Sequence, residues 1–281
     1  MRYFQQYTKL MQSHKCIYVM KRIFASFCTL YFLVIYTANA HNIKKINLTG
    51  LNLVQISQRL LLAAKTKEPT DSLVSVLEKI SEIELEKQLI TEDQRKAFWI
   101  NIYNAYTQVI LARDPDKYLK RGLFFGGKQI VIAGKALSLD DIEHGLLRHS
   151  KVKWSLGYFN KLFPSAFEKK NRVKKVDYRI HFSLNCGAKS CPPVAFYKPE
   201  QLDKQLEVAT SVYLKGETEF MEKDQKVLLP AMMGWFRHDF GGKKKMKLLL
   251  KIIGIIPENS NPSIQFKKYD WNLFLENYKN E

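Results

Sequence analysis

The order of hydrophobic periodicities along this 281-residue chain predicts an α+β fold, a mostly helical domain around a small, mainly antiparallel β-sheet. Three observations lead there. Helical spacing dominates the first part of the chain, short strand-like runs gather in the middle, and helical spacing returns toward the end. No βαβ alternation repeats. A content of 46% hydrophobic and 12% aromatic residues is that of a packed globular protein rather than a disordered one.

After a polar lead-in from Asn42 to Gly50, Leu51 to Ala64 carries apolar residues at helical spacing, and Asp71 to Leu89 reads as a second helix. Thr91 opens a third, because Thr91 and Gln94 have capping-box spacing. From Ala97 to Leu111 this helix is apolar almost all round, the mark of a central, buried element. Asn101, Asn104 and Gln108 lie on one side of it, so this amide stripe either braces neighbouring loops or faces a polar pocket. Arg113-Asp-Pro115 ends the helix. Gln129 to Ile132 and Lys135 to Leu137, joined by Ala133-Gly134, form a short hairpin. Ser138-Leu-Asp-Asp141 then starts a helix bearing Glu143, His144 and Arg148.

Tyr178 to Leu184 alternates, with Ile180, Phe182 and Leu184 opposite Arg179, His181 and Ser183, which predicts a strand with one polar face. Helices follow over Pro199 to Leu214, Pro230 to His238 and Lys243 to Ile252, with a short strand near Val227 to Leu229. The closing Tyr269-Asp-Trp271 is expected to dock by its aromatic rings.

Residues 1–40 read as an address. Met20-Lys21-Arg22 is a basic start, Ile23 to Tyr36 an apolar run of secretory length, and Ala38-Asn39-Ala40 a cleavage signal before His41. Met20 is then the better translation start. The alternative is an N-terminal membrane anchor, although the run is shorter than the ~20 residues a span requires. The expected organisation is a signal peptide at 1–40, a helical lead-in at 41–84 and the main domain at 85–281. The product would be exported, to the periplasm or beyond.

Removal of residues 1–40 takes away Arg2, Lys9, Lys15, Lys21 and Arg22 and leaves a chain that is still strongly basic, from a formal +18 overall. The excess clusters at Lys169 to Lys175 and Lys243 to Lys247, which suits an anionic membrane or cell-wall surface or plain solvation. Aromatic interleaving of the nucleic-acid type is missing, so no nucleic-acid partner is expected.

Cys186 and Cys191 are the cysteines that remain after export. Cys186 sits before a glycine on a predicted loop, where a thiol is open to chemistry, and His144 and His181 are the available bases. The same pair, with four residues between them, also suits a structural disulfide in an oxidising compartment. With His181 and His144 the cysteines match no familiar zinc spacing, so neither metal nor cofactor is expected.

Four motifs add a resemblance. Ala97-Phe-Trp-Ile-Asn-Ile-Tyr-Asn-Ala105, Asp141-Ile-Glu-His144, the run from Arg179 to Pro193, and Tyr269-Asp-Trp271 together resemble the domain-of-unknown-function family 547, in an exported bacterial form. The family has no agreed activity, so the resemblance implies positions rather than roles. It places Asn101, Asn104, His144, Arg179, His181, Asn185, Cys186 and Ser190 in one polar inventory, to which Glu143 is a neighbour. The resemblance implies no requirement for cysteine at position 191, which favours a functional Cys186.

Two functional expectations follow. One is a cysteine-dependent hydrolase or acyl-transfer enzyme acting on a small-molecule or peptide-like substrate. Cys186 would be its nucleophile and His144 or His181 its base. Asn101, Asn104, Glu143, Arg179, Asn185 and Ser190 would bind or orient the substrate. The other is a non-catalytic cell-envelope module carrying a Cys186–Cys191 disulfide.

Overall fold

The computed structural model describes residues 50–279, and the leader proposed for residues 1–40 lies outside them. Helix α1, Leu53–Lys65, begins with a capping box in which Asn52 and Gln55 satisfy each other's backbone N–H. The long helix expected from Asp71 is two: α2, Asp71–Lys79, and α3, Glu82–Gln88. Ile80 turns extended and the Ser81 hydroxyl caps α3 by accepting from Glu84 N–H at 3.1 Å, so a local cap overrides the continuing periodicity.

Helix α4, Glu92–Arg113, is the axis of the fold. The Thr91 and Gln94 capping box forms in both directions, and every residue from Ala97 to Leu111 is buried. Helix α1 packs along it. A 3-10 turn over Pro115–Lys120 and the short helix α5, Arg121–Gly126, lead to the hairpin of β1, Ile130–Ile132, and β2, Lys135–Leu137. Its turn residues Ala133 and Gly134 both take positive φ, as a two-residue hairpin requires. Their N–H groups donate to the Leu77 and Glu78 carbonyls at the end of α2, each at 2.9 Å.

Asp141–Leu147 is not an ordinary α-helix but a wide π-helical segment, with Arg148 N–H donating to the Glu143 carbonyl five residues back at 2.9 Å. Such widened turns are frequent at functional sites. Helix α6, Ala166–Asn171, follows.

The strand expected over Tyr178 to Leu184 does not form. Tyr178–Phe182 is a 3-10 turn, opened by Asp177, whose side chain accepts from Arg179 N–H at 3.1 Å. The alternation misled because His181 and Ser183 are buried as well as Ile180, Phe182 and Leu184. Both sides of the segment are covered, and its backbone bonds are local.

Helix α7, Leu202–Glu217, leads into a second sheet of β3, Glu219–Met221, β4, Lys226–Leu229, and β5, Ser263–Phe266. β4 pairs antiparallel with β3 and parallel with β5, so the sheet is mixed while most pairings in the protein are antiparallel. Helices α8, Ala231–Trp235, and α9, Gly242–Ile252, cover it through a core that includes Phe182, Met233, Phe240 and Leu250. None of the helices among the described residues is long and apolar enough to cross a membrane.

Candidate active site

The loop after the 3-10 turn is built by asparagines. Asn104 of α4 donates to the Ser183 carbonyl at 2.9 Å and accepts from Asn185 N–H at 2.8 Å. Asn185 in turn accepts from Gly187 N–H and donates to the Pro192 carbonyl, each at 2.9 Å. Gly187 holds φ at +88°, and a side chain there would press on Leu111. The C-terminal tail straps the loop from outside: Lys189 N–H donates to the Asn272 carbonyl and Phe274 N–H to the Gly187 carbonyl, each at 2.8 Å. The result is a thiol, Cys186, on the wall of a cavity of about 380 Å³.

His144, His181, Glu143 and Tyr103 share that wall, and Phe125, Trp154, Trp235, Phe236, Tyr269 and Trp271 supply its aromatic surface. A cavity of this size suits a small molecule. Trp235, Tyr269 and Trp271 pack ring against ring at 4.5–5.6 Å, the docking expected of the tail.

Cys186 and Cys191 are both free thiols. The Cys186 and Cys191 sulfurs touch at 2.7 Å, and the Tyr269 hydroxyl lies 3.3 Å from the first and 3.1 Å from the second. Cys186 ionises more readily than an ordinary thiol, because the Cys191 thiol hydrogen-bonds its sulfur. Burial opposes this, and the Tyr269 hydroxyl and Ala188 N–H reinforce it. Cys191 is pushed the other way, first by burial and then by its neighbour. Burial likewise raises Tyr269, which keeps its proton and remains a donor to the sulfurs.

The two imidazoles differ. Nδ1 of His144 lies 2.9 Å from Nη1 of Arg148, and a guanidinium only donates, so Nδ1 accepts and the ring proton sits on Nε2, 3.5 Å from Asp140. Both nitrogens of His144 are therefore engaged. His181 stacks on Phe236 at 4.0 Å and places Nε2 2.9 Å from Asp239 Oδ2. The same oxygen accepts from Arg148 Nε at 2.6 Å. Burial disfavours the Asp239 carboxylate, but the bonds from His181 and Arg148 outweigh it and hold its pKa at about 2. Burial lowers His181, and the Asp239 charge offsets this only in part. His181 is thus a neutral ring whose Nε2–H points at a carboxylate. Its Nδ1 is unprotonated and has no partner among the described residues. Neither imidazole hydrogen-bonds the Cys186 sulfur, whose bonding partners are Cys191 and Tyr269.

Glu143 accepts from the Tyr103 hydroxyl at 3.3 Å. The other residues expected to orient substrate lie elsewhere. Asn101 is fully buried, donating to the Tyr197 carbonyl at 2.9 Å and accepting from Tyr197 N–H at 3.0 Å. Asn104 and Asn185 are spent on the loop, so Asn101 and Asn104 of the amide stripe brace rather than face the cavity. Arg179 is paired with Asp177 and Asp203 at 2.9 and 2.7 Å, away from the cavity wall. Ser190 accepts from Asp270 N–H at 2.9 Å and helps hold the tail. Among the described residues no three His, Cys, Asp or Glu side chains group as a metal site.

Residues 87–214 match the family model described as a protein of unknown function, DUF547. That stretch carries a DUF547 domain. No curated protein and no solved structure shows a significant match. The DUF547 match includes Cys186, His144 and His181, yet the cavity is finished by residues beyond it: Trp235, Phe236, Tyr269 and Trp271, with Asp239 behind His181. Asp239 escaped sequence reading because nothing local to Arg237-His-Asp-Phe240 marks it. Tyr103 and Tyr269 sit inside conspicuous motifs, and their residue type was the available signal.

Proposed function

We propose that the protein is a cysteine-dependent hydrolase or acyl-transfer enzyme with Cys186 as nucleophile. The observation that carries this reading is a thiol whose anion is stabilised by three donors, set on the wall of a small-molecule-sized cavity beside an oriented, neutral imidazole. The Cys186 thiolate attacks an acyl carbon, the bond to the leaving group breaks as solvent returns to it the proton the thiol had lost, and a thioester forms. His181 acts on the second half of the reaction: Nδ1 takes a proton from water or an acceptor alcohol as it attacks the thioester, and the Asp239 carboxylate steadies the ring that becomes charged. Because activation comes from Cys191 and Tyr269, His181 is not required to deprotonate the thiol. His144, held at both nitrogens, serves to position Arg148. The aromatic wall suits an acyl group with a planar or apolar portion. The leader-like residues 20–40 would place the substrate outside the cytoplasm, where a cell-wall peptide or another amide fits.

The test combines iodoacetamide labelling with acylation by a nitrophenyl ester. Alkylation of Cys186 should reach half its maximal rate below the ordinary thiol pKa of 9, and Tyr269→Phe should move that midpoint upward by removing a donor. His181→Ala should accumulate acyl-enzyme, and Cys186→Ser should form none. A Cys186 that alkylates no faster than a free thiol and takes no acyl group would end the proposal.

A further inference from the structure

Cys191 does more than an activating donor needs to do. A hydroxyl or a backbone N–H would stabilise the Cys186 thiolate equally well, and Tyr269 and Ala188 already supply both. What a second sulfur adds is a dithiol, which can give up two electrons by closing a disulfide. The turn closed by Cys191 N–H on the Ala188 carbonyl at 3.0 Å folds the chain back until the sulfurs meet. The Cys186 N–H also donates to the Cys191 sulfur at 3.0 Å. The two thiols are placed unequally: Cys186 opens on the cavity, while Cys191 is 3% exposed and covered by the tail, where Asn277 holds its carbonyl at 2.8 Å. A solvent-reachable thiol in contact with a sealed one is the arrangement of an attacking and a resolving cysteine.

We propose that Cys186 and Cys191 form a dithiol–disulfide couple that reduces low-molecular-weight disulfides entering the cavity. The proposal rests on the reading of Cys186 as a nucleophile. The Cys186 thiolate attacks one sulfur of the small disulfide, forming a mixed disulfide and expelling the first thiolate. Cys191 loses its proton to that thiolate and attacks the Cys186 sulfur. The internal disulfide forms and the second thiolate leaves, taking the proton that Cys186 had released to solvent. The two protein thiols are oxidised, and one small disulfide becomes two small thiols. A dithiol reductant returns the pair to its starting state by the reverse exchange. While the internal bond stands, Cys186 has no free sulfur, so acyl-transfer chemistry stops.

The test uses the reduced full-length chain in buffers of graded reduced-to-oxidised glutathione. Samples are quenched by alkylation, and peptide mapping separates Cys186 and Cys191 from Cys16 and Cys28. Wild type should convert to a Cys186–Cys191 disulfide without a lasting glutathione adduct. Cys191→Ser should retain the adduct on Cys186, and Cys186→Ser should modify Cys191 about tenfold more slowly or less. The wild-type result decides even if a variant fails to fold. A persistent adduct on Cys186, or two cysteines that stay alkylatable at every ratio, overturns the couple. Should that happen while the nitrophenyl ester still acylates Cys186, the acyl-transfer reading survives alone. An internal disulfide without any acylation supports the couple and removes the other reading.

Discussion

Replacing Asp239 by asparagine keeps the shape of the side chain and removes the charge on which the inner network depends. Asp239 and Arg148 are both fully buried, with Nε and Oδ2 2.6 Å apart, and the same oxygen holds His181 at 2.9 Å. Without the carboxylate, the Arg148 guanidinium is left buried with no counter-charge, at a cost of about 3–5 kcal/mol. The depressed carboxyl pKa points the same way. The carboxyl pKa falls from 3.8 to about 2 on folding, a difference worth roughly 2 kcal/mol. For a domain of this size each kcal/mol moves the melting temperature by about 2–4 °C, so Asp239→Asn should melt about 6–20 °C below wild type. The assay is circular-dichroism melting at neutral pH, with Arg148→Met and the double variant completing a cycle. The double variant should be less destabilised than the sum of the single ones by about 1 kcal/mol or more. The pH dependence has a defined sign. Because the folded pKa is depressed, the carboxylate's contribution is full above about pH 5 and is lost as pH falls through about 2, below which wild type and Asp239→Asn should converge. A melting temperature within about 2 °C of wild type would refute the buried-pair argument, as would single-variant costs that add within about 0.5 kcal/mol.

Two further predictions concern the scaffold. Gly157 has φ +88°, and a β-carbon there would collide with Asp239 Oδ1 and lie 3.2 Å from Arg148 Nη2, so Gly157→Ala should destabilise by more than about 1 kcal/mol in urea unfolding. Wild-type stability in that variant would show that the network yields freely. Asn104→Ala leaves the Ser183 carbonyl and Asn185 N–H without partners, at about 1–3 kcal/mol each. Amide exchange across residues 183–187 should therefore accelerate, and unchanged protection would refute the bracing role.

The expected α+β class, the capping box at Thr91, the all-round burial of α4 and the two-residue hairpin were legible because each depends on neighbours in the chain: a cap three residues long, a period, a turn dipeptide. The site was legible in part for the same reason. Cys186, His144 and His181 lie within dense local motifs, and the fold does bring them to one cavity. Residue type alone could not tell a polar side chain that faces a cavity from one that closes a backbone gap. Asn101, Asn104, Asn185 and Ser190 belong to the second kind, and Arg179 is spent on two carboxylates.

The sequence by itself determined where most of the longer helices lie, which helix would be central, and which loop would carry a thiol, because propensity, capping and periodicity act over a few residues. Only the tertiary structure decided that Tyr178–Phe182 is a turn buried on both sides. It alone brought Asp239 behind His181 across 58 positions of chain and Tyr269 against two sulfurs. The ionisation of His181 and Asp239 is set by burial and by partners distant in sequence, and that of Cys186 by its near neighbour Cys191, by burial and by the distant Tyr269, so the chemistry of the site exists only once the chain has closed around it.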